Sequence, residues 1–98
     1  MLKKSYAKNG NNCRVTFRLP AEVDAKQVEL CGDFTDWEEN PLEMKRLKDG
    51  SFSRTVYLQT EREYRYRYLL DGAYWENDWA ADAYAANPFG AEDSVVRV

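Results

Sequence analysis

The stretch EYRYRYLLDGAYW, from Glu63 to Trp75, constrains the fold more than any other part of the chain. Tyr64, Tyr66, Tyr68 and Leu70 take every second position, and Arg65, Arg67, Leu69 and Asp71 take the positions between. Successive side chains of a strand point to opposite faces, so this spacing puts a row of tyrosines on one face and the arginines on the other. A helix would mix the two rows around its circumference. Asp71-Gly72 then ends the run with a dipeptide suited to a tight hairpin turn. A strand with one aromatic face needs a second layer to cover it.

The same period of two recurs along the chain. In CRVTFRLP, Val15, Phe17 and Leu19 alternate with Arg14, Thr16 and Arg18, and Pro20 closes the run. QVELCGDF carries Val28 and Leu30 on one face up to Gly32, and SFSRTVYLQ carries Phe52, Val56 and Leu58. LEMKRL reads as one short strand and SVVRV as the last. Lys48-Asp49-Gly50 and Thr60 to Arg62 are turns. Only WAADAYAA reads as a helical turn, stopped by Asn87-Pro88. Short strands at this spacing predict an all-β fold, an antiparallel β-sandwich of about seven strands. Its 98 residues suffice for one domain: a polar N-terminal segment over 1–12, then the sandwich over 13–98.

Charge narrows the partners. The net charge is −3 with an isoelectric point near 5.0, and apart from Lys45, Arg46 and Lys48 the basic residues are scattered. Phosphate binding needs clustered positive charge, so nucleic acid is not expected. With no histidine and only Cys13 and Cys31, neither a metal nor a cofactor is expected. The N-terminus lacks the apolar stretch of a secretory signal, and no run of 18 apolar residues occurs. The expectation is a cytoplasmic monomer with reduced thiols and no membrane contact.

The tyrosine row of the opening stretch is spoken for by the core, so rings free to bind must lie elsewhere. Trp37, Tyr74, Trp75 and Trp79 all sit in loops or just past turns. A pyranose ring has an apolar C–H face that flat aromatics cover and a rim of hydroxyls that charged and amide groups can bond. Arg67, Asp93, Asn77 and Asn87 are candidates for that rim. Two acidic clusters, Asp33–Asp36–Glu38–Glu39 and Asp71–Glu76–Asp78, read as solvated loop charge. Glycoside hydrolysis needs two carboxylates flanking a cleft, and the chain has no room for a catalytic barrel of about 250 residues. It shows no nucleophile–histidine pair and no Gly-rich phosphate loop, so no enzyme activity is expected.

Three segments together, CGDFTDW, YRYRYLLDG with its following aromatics, and NPFGAEDSVV, resemble the family 48 carbohydrate-binding modules over about Arg14 to Val98. That family includes the glycogen-binding domain of the AMP-activated protein kinase β subunit. It also includes the early-set N-terminal domain of isoamylases and glycogen branching enzymes. The resemblance, nearest to small stand-alone bacterial modules, implies an immunoglobulin-like sandwich that binds α-1,4-glucans such as glycogen, starch and malto-oligosaccharides. It implies Trp37 as one stacking ring, Tyr74 or Trp75 as the second, Arg67 as a donor to sugar hydroxyls and Phe89 as a residue pressed into the glucan. Where the kinase-type modules have Thr and Asn on the final loop, this chain has Ala91 and Asp93; Asp93 can accept but not donate. Trp79 adds a platform or plugs a gap. The alternative that the family implies is an early-set domain that docks on a glycogen- or starch-metabolising enzyme without binding sugar itself.

Overall fold

A computed structural model describes residues 2–98; Met1, the first residue of the polar segment, lies outside them. Ten strands run in chain order: β1 (Leu2–Tyr6), β2 (Asn12–Leu19), β3 (Val28–Gly32), β4 (Leu42–Glu43), β5 (Lys45–Arg46), β6 (Phe52–Gln59), β7 (Glu63–Leu70), β8 (Tyr74–Glu76), β9 (Ala83–Ala86) and β10 (Glu92–Arg97). They form two antiparallel sheets, the first in the order β1-β2-β6-β5 and the second in the order β4-β3-β7-β10-β9. β8 pairs with β7 opposite Tyr68–Leu70, while β10 pairs with it opposite Glu63–Tyr66. The all-β sandwich expected from the spacing is therefore present, with more strands than the seven counted.

The additional strands have identifiable causes. Residues 2–6 of the polar segment form β1, which pairs with β2 over five residues from Leu2↔Phe17 to Tyr6↔Cys13. Backbone pairing needs no apolar sequence, and lysines suit an edge strand because they discourage further pairing. LEMKRL is two strands rather than one. β4 pairs with β3 and β5 with β6, so the chain crosses between sheets at the buried Met44. AYAA is β9 rather than part of a helical turn, its alanines concealing the alternation and its pairing with β10 overriding helix propensity.

The core lies between the sheets. Cys13, Val15, Phe17 and Leu19 of β2 are fully buried, and Val28, Leu30, Tyr66 and Tyr68 meet them from the second sheet. The Phe17 and Tyr66 rings pack edge to face with centroids 4.9 Å apart, a favoured aromatic arrangement. Cys13 points into this core, whereas Cys31 pairs with Arg67 on the outward row of the second sheet. Both thiols are free and buried.

One acidic residue departs from its expectation. Asp78 is 1% exposed, not a solvated loop charge. The hydroxyls of Tyr66 and Tyr68 donate to its Oδ2 at 2.7 and 3.2 Å, and the Ala80 amide donates to Oδ1 at 3.0 Å. A buried carboxylate is tolerable when it is hydrogen-bonded in this way. Burial, and next the neighbouring ionisable groups, hold both phenols well above the usual tyrosine range.

Candidate functional site

The site is built on the outward face of β7. β3 flanks this strand on one side, and β8 and β10 flank it on the other. Arg65 and Arg67 rise from the middle, with loops on both sides forming the walls.

The first wall is the loop after β3, two 3₁₀ turns at Asp33–Thr35 and Trp37–Glu39. Gly32 lets it lie against β7: a Cβ there would stand 2.5 Å from the Arg65 carbonyl oxygen. Asp33 then staples the loop to the strand. Its Oδ2 accepts from the Arg65 backbone N–H at 2.8 Å, and its Oδ1 accepts from the Trp37 indole N–H at 3.3 Å. The buried Thr35 hydroxyl accepts from the Gly32 amide at 2.9 Å and lies 3.0 and 2.9 Å from the carbonyl oxygens of Gly32 and Trp37. Asp36 and Trp37 have φ of 51° and 55°, a left-handed conformation that costs free energy in any residue but glycine. The bonds from Asp33 and Thr35 hold that turn, and the turn presents the indole.

The second ring comes from β8. Trp75 pairs with Leu69, which places it on the outward side beside Arg67. The Arg67 guanidinium carbon lies 5.7 Å from the Trp75 ring centroid, within cation–π range. The Trp37 and Trp75 rings stand 6.5 Å apart at 70° to each other, forming an angled cradle rather than a flat platform. Beside Trp75, Arg67 Nε is buried without a hydrogen-bond partner among the described residues. An unpaired buried donor is costly, by about 1–3 kcal/mol, and rare in native structures.

The far wall is the turn between β9 and β10. The Asn87 side-chain oxygen accepts from the amides of Phe89 and Ala91 at 3.0 and 3.1 Å, and its Nδ2 donates to Asp93 Oδ1 at 3.2 Å. Arg65 Nη1 donates to the Ala86 carbonyl at 3.1 Å and approaches Asp93 Oδ2 at 3.5 Å. This bracing leaves Phe89, at the tip, 92% exposed.

Together these elements enclose an open cleft of about 380 Å³. Trp37, Arg67, Trp75, Phe89 and Asp93 all line it. Tyr74 and Trp79 do not: both are exposed elsewhere, and the Trp79 indole donates to Glu76 at 3.1 Å. Pairing of Trp75 with Leu69 settles which of the two neighbouring rings faces the cleft. Asn77 spends its amide on the Glu92 carbonyl and the Ser94 hydroxyl, each at 2.8 Å. Asp93 lines the cleft with both oxygens already engaged by Asn87 and Arg65. Asp33, Glu38, Arg65 and Pro88 are lining residues that the sequence reading did not select. Arg65 had a signal, since it shares the outward row with Arg67. Asp33 had none, because a staple depends on where the strand beside it lies.

Electrostatics fit a binding surface better than an acid–base pair. Of the three carboxylates in the cleft, Asp33 and Asp93 are occupied in holding its walls, and Glu38 stands in solvent. Cys31 lies under the same face. Burial first, then the charges of Glu29 and Glu38, push its thiol up to about 11, so it stays protonated and poorly nucleophilic at neutral pH.

Residues 5–85 of this 98-residue chain match the family described as carbohydrate-binding module 48, the isoamylase N-terminal domain. No curated protein matches the sequence.

Proposed function

Because the chain belongs to the carbohydrate-binding module 48 family, a family of non-catalytic modules, we propose that it binds α-1,4-glucans in the cleft between Trp37, Arg67, Trp75 and Phe89. One observation carries the reading. Two indoles 6.5 Å apart at 70° line the cleft together with Arg67, whose buried Nε has no hydrogen-bond partner among the described residues. The indoles offer faces for sugar C–H groups, and the part-exposed Arg67 guanidinium in the cleft lining offers N–H donors to hydroxyls. Each glucose in an α-1,4 chain is turned relative to the last and the chain curves. Rings set at an angle suit such a chain; coplanar rings would suit a flat β-linked one.

The affinity of a short chain is modest. Two or three stacked glucose faces bury roughly 200–300 Å² of apolar area, or about 5–8 kcal/mol at ~25 cal/mol/Å². Association itself costs an estimated ~4–15 kcal/mol. Edge hydrogen bonds supply the surplus, giving a Kd of roughly 10⁻⁵ to 10⁻³ M.

The test is titration with maltoheptaose, followed by calorimetry and by amide and indole NMR shifts. Trp37→Ala and Trp75→Ala should each weaken binding at least tenfold, about 1.4 kcal/mol, with little change in Tm. Tyr74→Ala, outside the cleft, should change binding less than twofold. A wild-type protein that shows no shift with any malto-oligosaccharide rules the reading out.

A further inference from the structure

The outward face of the first sheet has a composition unlike the rest of the molecule. Register places Lys3 and Ser5 of β1, Asn12, Arg14, Thr16 and Arg18 of β2, Ser53, Thr55, Tyr57 and Gln59 of β6, and Lys45 of β5 on this side. The opposite row of β2 is the buried one. Four of these side chains are cationic and none is acidic. Everything outside the face carries ten basic and seventeen acidic side chains. The second sheet and its loops hold Glu29, Asp33, Asp36, Glu38, Glu39 and Glu43. Asp49, from the β5–β6 turn, reaches Arg18 at 3.1 Å. Lys3, Arg14 and Lys45 make no ion pair among the described residues.

None of the described residues outside this sheet covers the Arg14–Tyr57 centre of this face. Arg14 and Tyr57 are cross-strand partners at its centre, and Tyr57 is 71% exposed. Beside them Ser5, Tyr6, Ala7 and Asn12 complete a shallow groove of about 250 Å³.

We propose that the outward face of the first sheet docks an acidic protein surface. Lys3 and Lys45 also protect the edge strands, but Arg14 stands on an interior strand, and three cations with no ion pair among the described residues attract opposite charge from outside. Arginine and tyrosine side by side are the side chains that most often anchor protein interfaces, and the surrounding hydroxyls supply both donors and acceptors. A neutral glucan gives the cations nothing to neutralise. A nucleic acid needs clustered positive charge to neutralise several phosphates, and four cations on a molecule of net charge −3 supply little of it. The eight-residue strands β2 and β6 run about 26 Å, and with the five residues of β1 and the two of β5 beside them the sheet is about 14 Å across at its widest, the size of a weak, exchanging contact. The face lies on the far side of a sandwich whose shortest extent is 24 Å, so the partner leaves the Trp37–Trp75 cleft open.

The test is an NMR titration of the full chain at low salt with poly-L-glutamate as the acidic polypeptide, and with oligothymidylate and maltoheptaose as separate arms. Poly-L-glutamate should shift the amides of Arg14, Thr16, Thr55 and Tyr57 saturably, leave the Trp37 and Trp75 indoles unmoved, and bind at least tenfold more weakly to Arg14→Glu. Lys3→Glu on the edge strand should weaken binding several-fold, and it serves as the test if Arg14→Glu lowers the melting temperature. Four results overturn the proposal: no saturable shift, shifts confined to the cleft, oligothymidylate binding as tightly at equal charge, or maltoheptaose shifting Tyr57. Concentration-dependent self-association that Arg14→Glu abolishes also overturns it, by making a second copy the occupant. Absence of maltoheptaose shifts anywhere bears on the glucan cleft alone.

Discussion

The two faces of β7 carry polar side chains at the same spacing, yet they treat them oppositely. On the inward face the Tyr66 and Tyr68 hydroxyls both reach the buried Asp78 carboxylate. On the outward face the Arg67 Nε is buried with no hydrogen-bond partner among the described residues. A satisfied polar network in a core gives it a single arrangement. An unsatisfied buried donor is kept only at a cost, and the rest of the part-exposed guanidinium lines the cleft, where a ligand can meet it. The comparison teaches that on one strand structural and functional residues can be separated by asking where each polar atom's partner is.

The largest effect should come from breaking the inward side. Tyr66→Ala removes a fully buried ring packed on Phe17, a class of change that costs about 3–5 kcal/mol. Chemical denaturation should show a loss of this size. Tyr66→Phe keeps the ring and deletes one donor to Asp78, and should cost about 1–3 kcal/mol. If Tyr66→Ala keeps full stability and only glucan binding disappears, the two faces have the opposite roles.

Next in size is the staple. Asp33→Ala removes the acceptor of both the Arg65 amide and the Trp37 indole. It should cost about 1–2 kcal/mol of stability, free the Trp37 indole N–H resonance, and weaken maltoheptaose binding several-fold. Asp33→Asn, which keeps one acceptor oxygen, should recover part of both. A variant that loses stability with Trp37 and affinity unchanged would show that Asp33 braces the strand alone and does not position the ring.

The outward side should respond in the reverse sense. Arg67→Ala removes a donor that has no partner among the described residues, so the melting temperature should stay level or rise slightly, while maltoheptaose affinity should fall about tenfold, or 1.4 kcal/mol. A clear fall in melting temperature would mean that the stem of Arg67, through its contact with Trp75, supports the fold.

This contrast also explains what the sequence made legible. The alternation of Tyr64 to Leu70 was visible because strand period is a local property, and it placed Arg67 outward without any knowledge of its neighbours. Trp37 stood out because a large ring in a polar loop is conspicuous, whereas Phe89 was pointed to only by the family resemblance. The choice between Tyr74 and Trp75 was not legible, since it depends on β8 pairing with Leu69 and not with the residue beside it. Asp78 was misjudged for a related reason. A carboxylate among Asn, Asp and Trp looks solvated, and only tertiary packing brings Tyr66, Tyr68 and Ser94 around it. Pairing of β1 and β9 was hidden because their lysines and alanines carry little strand propensity of their own.

The smallest effect should come from the thiol beneath the cleft, and it sharpens the comparison by asking whether the outward face has an interior of its own. Cys31 lies on that side yet is fully buried, and burial is the first cause that raises its pKa from 9.0 to about 11. A group whose folded pKa is raised contributes stability that is fully present below the unfolded value. That contribution is lost as pH rises through the folded value. The wild type should therefore lose stability between about pH 9 and pH 11 more steeply than Cys31→Ala, while the two curves run parallel below pH 9. The raised tyrosines act in the same direction from about pH 10 upward, but they are common to both proteins and cancel in the difference. Thiol labelling at pH 8 should be slow in the folded wild type and fast in denaturant. Parallel stability curves through pH 11, or rapid labelling of Cys31 in the folded state, would mean that the floor of the cleft is open to water, and the cost of leaving Arg67 Nε unpaired would fall with it.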